Sequence, residues 1–407
     1  MKWTPPKLAR SAPLVLIVLM VGAVAAFAVV SHLVRRFNAN QQALGRKLYV
    51  QGLADANARN FNHAIDEFRA ALSLDPTNPQ YQLSLARALR DSGDPRRLDE
   101  AESYLLTLWQ RAPQDGTINL ALGRVAAHRG SVEDVLSYYH NSIYGVWTND
   151  ADLNRRKARL ELIEFLFENN ARDKAQAELV ALAGVLPPNP ALHLQAAQLF
   201  AQARDYPNAL TQYEEALRLD QGNASAFAGA GSAAYQMGHY RTAQRYQHEA
   251  VRLNPQDTNS RQLLESADLI LQADPFRRRI SDIERNRRIA AAFAQAEQHL
   301  ISCAESRGIV LESKSEHNDS GNAASNTPAA THTQARPPSD LSALQARWID
   351  MKPKLSHLHA PGATDLHDAI MDFVFQIEQQ TAKECGPPQG LDLALLSISR
   401  NREAADQ

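Results

Sequence analysis

The sequence predicts an all-α protein. An N-terminal transmembrane helix should lead into a superhelix of about six helix–turn–helix units, followed by capping helices, a disordered linker and a small C-terminal helical segment. Three observations carry this expectation: an apolar run near the N-terminus, a 34-residue period over about half the chain, and one long stretch lacking large apolar side chains. With 407 residues, 44% of them apolar and 22% charged, the chain has the material for a sizeable core. Lys and Arg number 43 against 45 Asp and Glu, a net charge of −2, which argues against nucleic-acid binding. Two cysteines, Cys303 and Cys385, exclude a disulfide-dense mini-fold and a zinc site built from several thiolates.

The membrane element comes first. Residues 13–30 form a run of 18 without a polar side chain, and Leu33 and Val34 extend the stretch to 22 before Arg35 and Arg36. At about 1.5 Å per residue this spans roughly 33 Å, enough for a hydrocarbon core. The rival reading is a cleaved signal peptide, for which Ala26-Phe27-Ala28 offers a site, but the apolar run continues past it. Lys2, Lys7 and Arg10 on one side nearly balance Arg35, Arg36, Arg46 and Lys47 on the other, so the positive-inside rule barely discriminates. The short basic tail 1–12 is awkward to translocate. That favours a single-pass topology with a cytoplasmic N-terminus and the rest outside, periplasmic if the cell is bacterial. Residues 35–44 form the juxtamembrane segment.

From residue 45 to 257 one pattern recurs: a helix with a small residue in its middle, a turn, then a helix bearing Ala and, four residues on, a large side chain. The second-helix position is Ala64, Ala101, Val135, Ala175, Ala209 and Ala243, at separations of 37, 34, 40, 34 and 34. Four residues later come Phe68, Leu105, Tyr139, Leu179, Tyr213 and Gln247, the last with Tyr246 beside it. The small first-helix residue is Gly52, Ala86, Gly123, Ala197 and Gly231, with Ile163 in the fourth unit. Units close with Asp75-Pro76, Ala112-Pro113, Leu186-Pro187, Asp220-Gln221 and Asn254-Pro255, and in all but Asp220-Gln221 a proline ends the helical run. Each such unit buries its apolar face only by stacking on neighbours.

This pattern resembles the tetratricopeptide repeat family, and its clearest copies are YPNALTQYEEALRLD (206–220) and HYRTAQRYQHEAVRLNP (239–255). The resemblance implies a concave groove lined by first helices, and so a protein or peptide partner. Counting along those helices places Tyr49, Asn57, Arg87, Arg90, Arg124, His128, Lys157, Gln198, Gln202, Tyr235 and Gln236 inward. Arg87, Arg90, Arg124 and His128 would make the middle basic, suited to an acidic peptide or carboxylate; a solvated face diluted by Glu164 and Glu168 is the alternative. The family's carboxylate clamp of Lys and Asn is not recognisable. Tyr138, Tyr139, Tyr144 and Trp147 lie where an insertion breaks the period, either as partner anchors or as buried filling.

Beyond the array, residues 258–272 read as a capping helix and about 277–306 as a second, the two making up 258–311. The Arg-rich start of the latter suggests Arg278–Asp282 and Glu284–Arg288 pairs on a wet face. Residues 312–340 contain no Val, Ile, Leu, Met or aromatic residue and read as the disordered linker. In 341–407, a helix stopped by Pro353 precedes a stronger one capped by Thr364 or Asp365 and ending at Cys385-Gly386, then a short apolar segment from Leu391. These should dock on the end of the array. In an oxidising compartment, Cys303 and Cys385 are candidates for a disulfide across the linker.

No phosphate-binding loop, G-x-S-x-G or H-E-x-x-H occurs, and His357, His359 and His367 with Asp365 lack metal-site spacing. No cofactor, metal, nucleic acid or small-molecule substrate is expected, and no enzyme activity. The expected function is a membrane-anchored scaffold for protein–protein interaction. The alternatives are an assembly factor in cell-envelope biogenesis or secretion and, from another class, an enzyme with a cryptic site in the C-terminal helices.

Overall fold

The computed structural model describes residues 12–309, 340–360 and 362–405, so almost all of the predicted N-terminal tail and linker lie outside the described residues. Among the described residues the regular elements are helices, and they fall into two compact units that meet in sequence between Leu182 and Ala183.

The first unit begins with α1 (Ala12–Asn57), a single helix of 46 residues. The predicted spanning segment, the juxtamembrane stretch and the first repeat helix are therefore continuous. No proline lies between Pro13 and Pro76, so nothing removes a helical hydrogen bond along this stretch. Leu16, Ile17, Met20, Phe27 and Leu33 are each at least 60% exposed. This is the one helix among the described residues long and apolar enough to cross a membrane, with a window of mean hydropathy 2.5. Further along, Gly45 and Gly52 are buried and serve as contact points, not breaks.

After α1 the unit continues with α2 (Phe61–Leu74), α3 (Pro79–Asp91), α4 (Leu98–Arg111), α5 (Gly116–Arg129), α6 (Val132–Ile143), α7 (Ala151–Glu168) and α8 (Arg172–Ala183), which crosses the boundary by one residue. The second unit opens with α9 (Pro190–Gln202), α10 (Tyr206–Leu219), α11 (Ala224–Gln236) and α12 (Tyr240–Leu253).

In each pair the second-helix position of the period, from Ala64 through Ala243, is wholly buried. The small first-helix residue receives the large one. A Cβ added at Gly52, Gly123 or Gly231 would come within 2.7 Å of Phe68, Tyr139 or Gln247 respectively, in each case sixteen residues on. Gln247, not Tyr246, fills the last such position. It is fully buried and donates to the Ala228 carbonyl at 3.1 Å, while Tyr246 turns out to bond Glu214 at 2.7 Å. First helices start on carboxylate or amide caps: Asn78, Asp115, Asn189 and Asn223 each accept from backbone N–H groups of the next turn.

The insertion at 138–150 closes on the preceding unit. Gly116 N donates to Val146 O at 2.8 Å, Val146 N to Gln114 O at 2.7 Å, and Trp147 Nε1 to Ser142 O at 2.9 Å. Tyr139 is buried and Tyr138 and Trp147 are half-buried; Tyr144 is 73% exposed but receives Arg159, whose Nη2 donates to its hydroxyl at 3.2 Å. Three of the four aromatics are thus packing.

The second unit continues with α13 (Thr258–Ala273), α14 (Asp282–Ser306), α15 (Asp340–Met351), α16 (Thr364–Cys385) and α17 (Gly390–Ala405). Its core joins Ile289, Phe293 and Leu300 of α14 to Ile370, Phe373, Val374 and Ile377 of α16, with Trp348 stacked on Phe293 at 5.6 Å. The α17 helix packs on α13, and Tyr240 of α12 reaches the Ser397 carbonyl at 3.4 Å, so residues 340–405 sit on the end of the repeats in this unit. A disulfide joins Cys303 to Cys385, with Cα atoms 5.8 Å apart.

Two local expectations need correction. The α14 helix starts at Asp282, where Ser281 Oγ accepts from Glu284 N at 3.2 Å, so Arg278 precedes the helix and Asp282 pairs with Arg285 at 2.7 Å. Glu284 takes both Arg287 and Arg288, and Arg288 also caps α13 through the Leu271 and Asp274 carbonyls. Thr364 is the first residue of α16, and the residue before it, Ala363, makes no side-chain cap.

Candidate partner-binding site

The basic residues converge in the first unit because α3 touches both α1 and α5. Arg87 and Arg90 stand three apart on α3, and Arg124 occupies on α5 the position equivalent to Arg87, immediately after the small residue. The three guanidinium groups differ in what holds them.

Arg124 is engaged. Its Nε and Nη2 donate to Glu161 of α7 at 2.8 and 2.6 Å, the two-point geometry that suits a carboxylate. Tyr139 leans on the same carboxylate at 3.3 Å, and burial followed by the Glu161 charge pushes its hydroxyl pKa up. Arg90 is 8% exposed. It shares Asp91 through Nε at 2.7 Å, while its Nη1 is buried without a hydrogen-bond partner among the described residues. Arg87 has no ion pair among the described residues, and its Nε is buried and unpartnered. Burial, then the charges of Arg124 and Arg90, push the Arg87 pKa below its ordinary value. Three cations thus face two carboxylates, Asp91 and Glu161, leaving an excess positive charge centred on Arg87. An anionic group placed there would relieve both the repulsion and the unmet donors.

The other side chains expected to face inward divide between the two units, each described by itself. In the first, Tyr49 is half-buried, 4.9 Å from the Tyr81 ring, and its hydroxyl bonds Ser84 at 3.3 Å; Asn57, His128 and Lys157 are exposed. In the second, Gln198, Gln202 and Gln236 are exposed, while Tyr235 packs edge-on against Tyr240 at 5.3 Å beside the C-terminal core. Burial pushes the Tyr235 hydroxyl pKa up.

Sequence reasoning missed Asp91 and Glu161, and Glu164 and Glu168, which it did weigh, are exposed. The signal for Glu161 was faint: it stands 37 residues after Arg124, near one repeat length. The histidines considered for metal part company. His367 is buried, with Nε2 3.4 Å from Leu358 O, His359 Nδ1 lies 3.1 Å from Asn286, and His357 is exposed.

Paired helices with small-to-large contacts define a helical-hairpin repeat protein, in which side chains on successive first helices build the surface. The tetratricopeptide repeat family model matches residues 49–95, from the last part of α1 to the turn after α3. That stretch of the chain therefore carries the tetratricopeptide repeat pattern. No curated protein matches it.

Solved structures similar to parts of it include PilF of Pseudomonas aeruginosa, 16% identical over 55% of this chain and 97% of that one, with a TM-score of 0.37. PilW, described as a widely conserved type IV pilus biogenesis factor, is 14% identical over 54% of this chain and 98% of that one, TM-score 0.36. YrrB, described as having an unusual peptide-binding site, is 15% identical over 47% of this chain and 95% of that one, TM-score 0.35. At these identities and TM-scores no function passes from those proteins to this chain.

Proposed function

We propose that this protein is a membrane-anchored scaffold whose first repeats hold an acidic segment of a protein partner. The observation that carries the reading is the unmatched guanidinium of Arg87, buried at Nε beside Arg90 and Arg124. A carboxylate there gains charge-assisted hydrogen bonds worth about 1.5–3 kcal/mol, and the exposed side chains of Asn57, His128 and Lys157 offer further polar contacts. The apolar half of α1 anchors the chain, with the N-terminus in the cytoplasm and the repeats outside. The disulfide supports that orientation, since such bonds persist in oxidising compartments. Assembly of a cell-envelope or secretion complex is the narrower form of the same proposal.

The test is binding of fluorescent peptides, acidic at their free C-terminus, to the full-length protein in detergent. Affinity should fall about 10- to 150-fold in Arg87→Gln, and fall with rising salt, while amidated neutral peptides bind weakly. Equal affinity of acidic and neutral peptides, or indifference to Arg87→Gln, would overturn the reading. Labelling Cys303 and Cys385 in intact cells with a membrane-impermeant maleimide checks the orientation: reaction only after reduction puts the repeats outside, and reaction only after lysis puts them inside.

A further inference from the structure

Away from the repeats, α14, α16 and α17 bring together three side chains that the scaffold reading does not use. His299 Nδ1 lies 2.7 Å from Glu378 Oε2 and 3.8 Å from Asp392 Oδ2. One nitrogen or oxygen from each residue falls within 4.8 Å of the others. Thr381 Oγ1 is 3.2 Å from the same imidazole nitrogen. The same hydroxyl donates to the Ile377 carbonyl at 2.8 Å, with the Glu378 carbonyl at 3.2 Å. Gln295 Nε2 donates to the other Asp392 oxygen at 2.8 Å and fixes that carboxylate's orientation.

Two features mark this as more than an ordinary histidine–carboxylate contact. Glu378 is fully buried, and its second oxygen, Oε1, has no hydrogen-bond partner among the described residues. A buried carboxylate with an unmet acceptor is costly. Among the described residues, His299 is the only cationic side chain in an ion pair with Glu378 or Asp392. A protonated His299 would therefore leave two carboxylates sharing one positive charge. A dication with neutral imidazole balances them.

We propose that His299, Glu378 and Asp392 bind a divalent transition cation of the zinc kind, with Thr381 Oγ1 or water beside it. One imidazole and two carboxylates are a donor set that such ions accept. Tetrahedral coordination at about 2.0–2.2 Å separates ligand atoms by roughly 3.3–3.6 Å, and the observed 2.7 and 3.8 Å straddle that range. His299 and Asp392 side chains are 16% and 17% exposed, so the ion has a route in from solvent while Glu378 forms the floor. The ligands come from three helices, and one ion would tie α14, α16 and α17 at a place one helical turn from Cys303.

The test uses the full-length protein, purified in detergent without a polyhistidine tag and stripped with chelator. Zn²⁺ binding is read by competition with a chromophoric chelator, and Co²⁺ binding by its visible absorption. One equivalent per chain is expected, with affinity falling at least about tenfold in Glu378→Gln and in Asp392→Asn, and the Co²⁺ spectrum changing in both. Affinity should be unaltered in a His357→Ala/His359→Ala variant. Absence of binding to the wild type, or binding untouched by Asp392→Asn, overturns the proposal, as does loss confined to the His357/His359 variant. Circular dichroism and the intact disulfide report folding. If Glu378→Gln fails to fold, Asp392→Asn, at the exposed edge, decides alone. The result is independent of the Arg87 site, which lies in the other unit.

Discussion

Replacing Gly123 by alanine probes the contact that repeats through the array. The new Cβ would lie 2.7 and 2.9 Å from Tyr139 Cδ2 and Cε2 and 3.5 Å from Tyr138 Cβ. Carbon atoms prefer about 3.5–4.0 Å, so the ring must retreat by close to 1 Å. It has little room, being 3% exposed and bonded through its hydroxyl to Glu161. Overpacking of this kind costs about 1–3 kcal/mol, partly offset by the roughly 1 kcal/mol that alanine gains over glycine in a helix.

A double-mutant cycle with Tyr139→Leu separates the two, because the propensity gain is the same in both backgrounds and cancels. What remains is the steric term, relieved when leucine replaces the ring, and it should appear as a coupling of about 1–3 kcal/mol. Alanine opposite a second-helix tyrosine is already accommodated in the unit of Ala197 and Tyr213, where the far end of the Tyr213 ring reaches across to Gly229 of the next first helix. The edge of the Tyr139 ring lies instead on Gly123 itself, and its hydroxyl is held by Glu161.

The assay is hydrogen exchange of the α5 and α6 amides in the full-length protein, since a repeat array need not unfold as one step. The coupling corresponds to about 5- to 150-fold in exchange rate. Single-mutant effects that add within about 0.5 kcal/mol would refute the argument that Gly123 is small in order to receive Tyr139.

Two further predictions concern the second unit. The Cys303–Cys385 bond closes a separation of 82 residues, and loop entropy gives about 4.5 kcal/mol as its contribution; Cys303→Ser/Cys385→Ser should lower the melting temperature of the C-terminal transition, and an unchanged transition in that variant would refute the linkage. Asp257 caps α13, its pKa held low by the Ser260 hydroxyl, then the Ser260 backbone N–H, with a smaller part from the Asn259 N–H, against burial. Asp257→Ala should cost about 1 kcal/mol at neutral pH. Because the folded pKa lies below the unfolded one, that contribution is complete above about pH 4 and fades as pH falls through the folded value. Denaturation curves of wild type and variant should therefore converge in acid, and a constant difference would place the effect elsewhere.

The sequence by itself determined the repeats and the apolar segment, because both are written in short-range spacing. Ala64, Ala101, Val135, Ala175, Ala209 and Ala243 stand where the period puts them, and all six are fully buried. The exchange of size between Gly123 and Tyr139 is legible too, since sixteen residues of hairpin leave little freedom in which side chains meet. Continuity of α1 follows from the absence of proline between Pro13 and Pro76, although the change from apolar to mixed composition suggests separate segments.

Tertiary structure alone decided charge and partnership. The four basic side chains of the predicted groove looked alike in sequence, yet Arg124 is matched by Glu161, Arg90 by Asp91, His128 is exposed, and Arg87 is left over. No periodicity announces that a carboxylate on α7 will reach an arginine on α5. His299, Glu378 and Asp392, on three different helices, carry no common motif and meet only when α14, α16 and α17 pack. Periodic burial is enforced turn by turn along the backbone, whereas a long-range ion pair depends on where whole helices come to rest.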